Sequence, residues 1–123
     1  MTHQVLLVED DSPTRSVYHE ILVRMKFDVI EAADGVKALE ILDRITPNVI
    51  ILDMLLPRKS GRDVLDYIYA APHLATTRVI IFTAHEYLPP LLLRQGDEFL
   101  LKPLHPQKLR EAVLRAVASP LQH

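Results

Sequence analysis

Apolar residues gather along this chain in short runs, Val5 to Val8, Asp28 to Ile30, Asn48 to Leu52, Arg78 to Phe82 and Glu98 to Leu101. The first, third and fourth are apolar with almost no alternation, the pattern of strands covered on both faces of a parallel sheet. Between the runs, apolar positions recur at helical spacing. Val17, Ile21, Leu22 and Met25 form one stripe; Ala38, Leu39, Leu42 and Ile45 a second; Val64, Leu65 and Ile68 a third; Leu109, Val113, Ala116 and Val117 a last. Each stripe predicts a helix laid over the sheet. Ser12-Pro13 and Ser60-Gly61 read as helix starts, a capping hydroxyl followed by a residue that tolerates the first turn. Strands and helices in alternation imply right-handed crossovers and an α/β fold with a doubly wound, five-stranded parallel sheet in the order 2-1-3-4-5.

In such a sheet the working site lies at the carboxyl ends of the strands, beside the switch in strand order. The first strand runs into Glu9-Asp10-Asp11, the third into Asp53, the fourth into Thr83-Ala84 and the fifth into Lys102-Pro103. Clustered carboxylates repel one another, and a hard divalent cation relieves that repulsion. Mg²⁺ takes oxygen ligands and needs few carboxylates, whereas zinc would ask for histidines or cysteines. Lys102 adds a mobile positive charge and Thr83 a hydroxyl donor, a set that suits a phosphoryl group. A carboxylate can attack phosphorus to give an acyl phosphate while cationic groups neutralise the equatorial oxygens. Asp53, ending a central strand, is the expected nucleophile, and Glu9 and Asp10 leave a neighbouring strand from which they could hold the metal. Asp11, beside the Ser12-Pro13 helix start, reads as a structural acid.

Composition narrows the field further. The 123 residues are 49% hydrophobic, enough for one core, and are read as a single domain with its core over residues 3–118 and a frayed end after Ala118. Net charge is −2 with the basic residues scattered singly, which argues against direct nucleic-acid binding and against a polybasic membrane patch. The absence of cysteine excludes disulfides, thiolate zinc sites and cysteine nucleophiles. The start of the chain lacks the pattern of a secretion signal and no apolar run reaches membrane-spanning length, so a cytoplasmic location is expected. His3, His19, His73, His85, His105 and His123 show no paired metal spacing.

The segments VLLVEDDSPTR (5–15), VIILDMLLPRKSG (49–61), VIIFTA (79–84) and FLLKP (99–103) together resemble the receiver domains of response regulators, and the resemblance covers nearly the whole chain. It implies a flavodoxin-like fold and phosphorylation on Asp53 by a histidine kinase or a histidine phosphotransfer protein. The family's acidic pair falls on Glu9 and Asp10 when Arg15 sets the register; Asp10 with Asp11 is the alternative. The resemblance implies a third protein ligand to Mg²⁺ from the Leu55 backbone carbonyl, loop-shaping roles for Pro57 and Gly61, and a cis bond before Pro103. It places the switch hydroxyl on Thr83, the invariant lysine on Lys102 and the switch aromatic on Phe99, whose movement would alter a surface of helix four, strand five and helix five, a candidate homodimer face.

The chain departs from that pattern between Thr83 and Lys102, an interval shorter than the family's. Pro89-Pro90 cannot sit inside a helix, so a shortened or irregular fourth helix is expected between Pro90 and Gly96, with Leu91, Leu92 and Leu93 as core or partner-facing residues. Three other functions compete. Flavin binding would need a hydroxyl- and glycine-rich loop after the first strand, and an aspartate-based phosphatase would want an acid where Leu55 stands. A phosphorylation-independent interaction module is the stronger rival.

Overall fold

The computed structural model describes residues 2–84 and 93–118. Its strands are β1 (Gln4–Val8), β2 (Asp28–Ala32), β3 (Val49–Asp53), β4 (Arg78–Thr83) and β5 (Glu98–Leu101). The helices are α1 (Ser12–Arg24), α2 (Gly35–Leu42), α3 (Gly61–Ala70) and α4 (Pro106–Ala118), with a 3-10 turn at Pro72–Leu74. All neighbouring strands pair in parallel, in the order β2-β1-β3-β4-β5. This is the doubly wound sheet that the sequence pattern predicts.

Successive side chains of a strand point to opposite faces, and here both faces are buried. Leu6, Val8, Ile50, Leu52, Val79 and Ile81 face α2 and α3, where they meet Ala38, Leu42, Val64, Leu65 and Ile68. Val5, Leu7, Val49, Ile51, Ile80 and Phe82 face α1 and α4, where they meet Tyr18, Ile21, Leu22, Leu109 and Val113. A core on each side explains why β1, β3 and β4 carry unbroken apolar runs. The two edge strands differ: β5 alternates, leaving Phe99 and Leu101 37% and 47% exposed.

Local chemistry sets the helix ends. Ser60 caps α3 and exchanges hydrogen bonds with Asp63 in a capping box. The start of α1 differs from expectation: Asp11, rather than Ser12, is the cap, accepting the Thr14 N–H at 3.0 Å. A carboxylate placed before the first turn also complements the helix dipole. Val17, expected on the buried stripe of α1, is 52% exposed, and Tyr18 takes the inward position against Phe82.

Residues 85–92 lie outside the described residues, and with them Pro89, Pro90, Leu91, Leu92 and most of the expected short helix. Leu93 to Gly96, expected as the end of that shortened or irregular helix, together with Asp97 form an irregular segment with a turn at Gln95-Gly96. Gly96 has φ 94°, and a Cβ there would press on the Arg78 guanidinium. The segment is pinned by polar contacts. Arg94 lies over the Tyr69 ring at 4.4 Å, pairs with Asp97 at 3.2 Å and donates to the Thr77 carbonyl at 2.6 Å. Asp97 in turn accepts the Val79 N–H at 2.8 Å and the Tyr69 hydroxyl at 2.7 Å. Burial pushes the Tyr69 phenol up to about 12, with the Asp97 carboxylate adding to the effect.

Candidate functional site

β1 pairs with β2 on one side and β3 on the other, so the switch in strand order falls between the carboxyl ends of β1 and β3. Glu9 follows β1 directly and Asp53 is the last residue of β3; they are 0% and 4% exposed. Two buried carboxylates side by side require a cation. Lys102, next after β5, supplies it. Its ammonium lies 2.5 Å from Glu9 Oε1 and 3.0 Å from Asp53 Oδ2.

Backbone contacts fix each member. The Lys102 N–H donates to the Thr83 carbonyl at 2.9 Å, extending the β4–β5 pairing and setting where the lysine leaves the strand. The peptide bond that follows, Lys102–Pro103, is cis, as the family resemblance implies. Glu9 donates its N–H to the Ala32 carbonyl at 3.1 Å, and its Oε2 accepts the Asp11 N–H at 3.0 Å. The Arg15 guanidinium donates to the Glu9 carbonyl at 2.8 Å and so closes the β1–α1 turn from the helix side. Asp53 Oδ1 accepts the Leu55 N–H at 3.0 Å, leaving Oδ2 to the lysine. Beneath it, Gly61 begins α3 so close that a Cβ would stand 2.4 Å from Met54 Cα and 2.5 Å from the Asp53 carbonyl.

Charge and burial set the protonation. Burial pushes the Glu9 carboxyl above the usual glutamate range, the nearby Asp53 charge adds to this, and the Lys102 and Asp11 hydrogen bonds pull the other way without cancelling it. Burial also works against the Lys102 ammonium, but hydrogen bonds and charge from Glu9 and Asp53 outweigh it and raise its pKa. The Thr14 hydroxyl and N–H hold Asp11 below the usual aspartate range.

One carboxylate oxygen from each of Glu9, Asp10 and Asp53 falls within 4.8 Å of the other two. These all-oxygen donors suit a hard divalent cation such as Mg²⁺. Asp10 is exposed, and Asp11 stands outside the group with its side chain committed to the α1 cap. Thr83 is wholly buried at the end of β4, level with Leu101 of β5. The Leu55 side chain is 49% exposed beside Asp53, and Phe99 sits on the opposite sheet face from Phe82, partly in solvent. His85 lies outside the described residues.

Two aromatics at the site went unread in the sequence. Phe82, the register partner of Asp53 on β4, presents its ring to the Lys102 ammonium at 4.9 Å. Tyr18 packs edge-on to Phe82 at 5.2 Å. Their types looked like core filler, and only the register of β3 against β4 brings them to the lysine.

Comparison with known proteins agrees with this architecture. The profile of the response regulator receiver domain matches residues 5–114. The transcriptional regulatory protein CpxR of Escherichia coli K12 is 36% identical over 118 residues, covering 94% of this chain and 49% of that protein. The signal receiver domain of a protein described as a LuxO repressor, from Vibrio parahaemolyticus, superposes with a TM-score of 0.82 at 33% identity, over 96% of this chain and 92% of that one. The receiver domain of the sensor histidine kinase PA1611 from Pseudomonas aeruginosa PAO1, solved with a magnesium ion coordinated in its active-site cleft, gives 0.84 at 23% identity, over 97% and 100%. The chain spans half or less of the length of the curated relatives it matches first. With the strand order, the acidic edge and the match to residues 5–114 in agreement, the chain belongs to the response regulator receiver domain family of two-component systems.

Proposed function

We propose that the chain accepts a phosphoryl group on Asp53 from the phosphohistidine of a histidine kinase or a histidine phosphotransfer protein. The observation that carries this reading is the Lys102 ammonium held between Glu9 and Asp53 at 2.5 and 3.0 Å, with Asp10 alongside. An Asp53 carboxylate oxygen forms a bond to phosphorus as the bond from phosphorus to the donor imidazole nitrogen breaks, its electron pair remaining on that nitrogen. Glu9, Asp10 and Asp53, with the Leu55 carbonyl, would hold Mg²⁺, which when bound would supply positive charge to the phosphoryl oxygens. Lys102, already directed at Asp53, pairs with the new phosphoryl group.

Phosphorylation replaces the Asp53 carboxylate by a more highly charged group with additional acceptors, which draws in the Thr83 hydroxyl. Hydrogen bonds to charged oxygen contribute about 1.5 to 3 kcal/mol, enough to shift a two-state balance roughly ten- to a hundredfold. The resemblance places the readout at Phe99, whose partial exposure gives it room to turn inward and so to change the face made by β5 and α4. That face is also where a homodimer or an output partner would bind.

Incubation with acetyl phosphate and Mg²⁺, followed by intact mass measurement, tests the reading. A gain of one phosphoryl group that is absent from Asp53→Asn is expected. No gain in the unaltered protein favours a phosphorylation-independent interaction module instead.

A further inference from the structure

The Lys102 ammonium has three N–H donors. Two go to Glu9 Oε1 and Asp53 Oδ2, and the face of the Phe82 ring lies 4.9 Å from the nitrogen. A cation within about 6 Å of an aromatic centroid is attracted to the negative ring face, most strongly where water is excluded. Phe82 is wholly buried, and the register of β3 against β4 puts it beside Asp53 with both side chains on the same sheet face. Tyr18 stands against it at 5.2 Å with an interplanar angle of 61°, fixing the ring plane. An aliphatic residue at this position would fill the core equally well but would offer the ammonium nothing.

We propose that Phe82 is a positioning residue for Lys102, its ring face acting as the uncharged third partner that keeps the ammonium aimed at Asp53. This deepens the phosphoacceptor reading and rests on it. The carboxylates of Glu9 and Asp53 are the groups that a divalent cation would claim, and phosphorylation would change Asp53 as well. The ring is altered by neither, so it holds the lysine in place while its charged partners are redrawn.

The test replaces Phe82 by mono-, di- and trifluorinated phenylalanine, which progressively removes the negative potential of the ring face with little change in volume. The expected result is a stepwise fall in the rate of Asp53 phosphorylation from acetyl phosphate, roughly two- to fivefold across the series. The slope should persist in a Tyr18→Leu background, because it belongs to the ammonium rather than to the ring pair. In parallel, proton NMR of the Lys102 ε-methylene should show an upfield ring-current shift that Phe82→Leu abolishes. A flat rate series, or a methylene signal that Phe82→Leu leaves unmoved, overturns the proposal. Should the unaltered protein take no phosphoryl group at all, the phosphoacceptor reading falls, while the ring-current measurement still decides whether ring and ammonium are in contact.

Discussion

The Lys102 ammonium donates to the Glu9 carboxylate at 2.5 Å, joining residues 93 positions apart in sequence. Glu9 is fully buried and the lysine side chain 18% exposed, so each charge is tolerated because of the other. Lys102→Met should therefore lower the stability of the metal-free protein at neutral pH by about 3 to 5 kcal/mol, the usual cost of stranding a buried charge. Mg²⁺ at millimolar concentration should restore part of that loss by binding the carboxylates left without their cation. Urea unfolding with and without Mg²⁺ measures both effects.

The Glu9 carboxyl, pushed upward chiefly by burial, makes a signed prediction for pH. The folded state holds this proton more tightly than the unfolded chain does, so its contribution to stability is full below the ordinary glutamate value. That contribution is lost as pH rises through the higher folded value. Lys102 acts in the same sense at the alkaline end, where its contribution disappears as pH climbs through its raised value. Glu9→Gln should remove the acidic part of the slope and diminish the alkaline part, because Glu9 is one of the two carboxylates that raise Lys102, as read from unfolding midpoints across pH.

Asp11 separates the two possible acidic pairs. Its carboxylate caps α1 through the Thr14 N–H. Asp11→Ala should cost about 1 kcal/mol, the usual value of a cap, with Mg²⁺ affinity little changed. Asp10→Ala should do the reverse, weakening Mg²⁺ binding with little effect on stability, because Asp10 is exposed. Calorimetric Mg²⁺ titration of both variants decides the pairing.

Gly61 is where the loop after Asp53 meets α3. A methyl group there would press into the Met54 Cα and the Asp53 carbonyl, both of them backbone atoms that cannot turn aside. Gly61→Ala should shift the Asp53 backbone and reduce the phosphorylation rate at least tenfold, about 1.4 kcal/mol of barrier. An equally glycine-poor change on the outer face of α3, Arg62→Ala, should leave the rate unaltered.

Leu55 stands two residues after Asp53, where a polar side chain could orient water toward the proposed acyl phosphate. Its apolar side chain is 49% exposed and cannot do so. Retention of the phosphoryl label well beyond seconds is expected, and Leu55→Gln should shorten it. Loss of label from the unaltered protein within seconds would contradict this.

The strands and their order were legible because a parallel sheet buried on both sides writes itself as unbroken apolar runs, as in Val49 to Leu52. Glu9, Asp53, Thr83 and Lys102 were legible as candidates because each ends or follows a strand, and strand ends share one edge. What escaped were features that depend on register and on side-chain direction. Phe82 reads as core until β3 and β4 are aligned, and Val17 and Tyr18 are adjacent on α1, so periodicity alone did not say which turns inward. The Arg94, Asp97 and Tyr69 cluster escaped for another reason. Tyr69 lies 28 positions before Asp97, and the turn at Gly96 between Arg94 and Asp97 was read as a helix end.

Chemical trapping of the modified residue tests the central claim most directly. After treatment with acetyl phosphate and Mg²⁺, borohydride reduction converts an aspartyl phosphate to homoserine, which peptide mass mapping then locates. The account predicts homoserine at position 53 alone. Homoserine at position 10 or 11, or none anywhere in the chain, would contradict it.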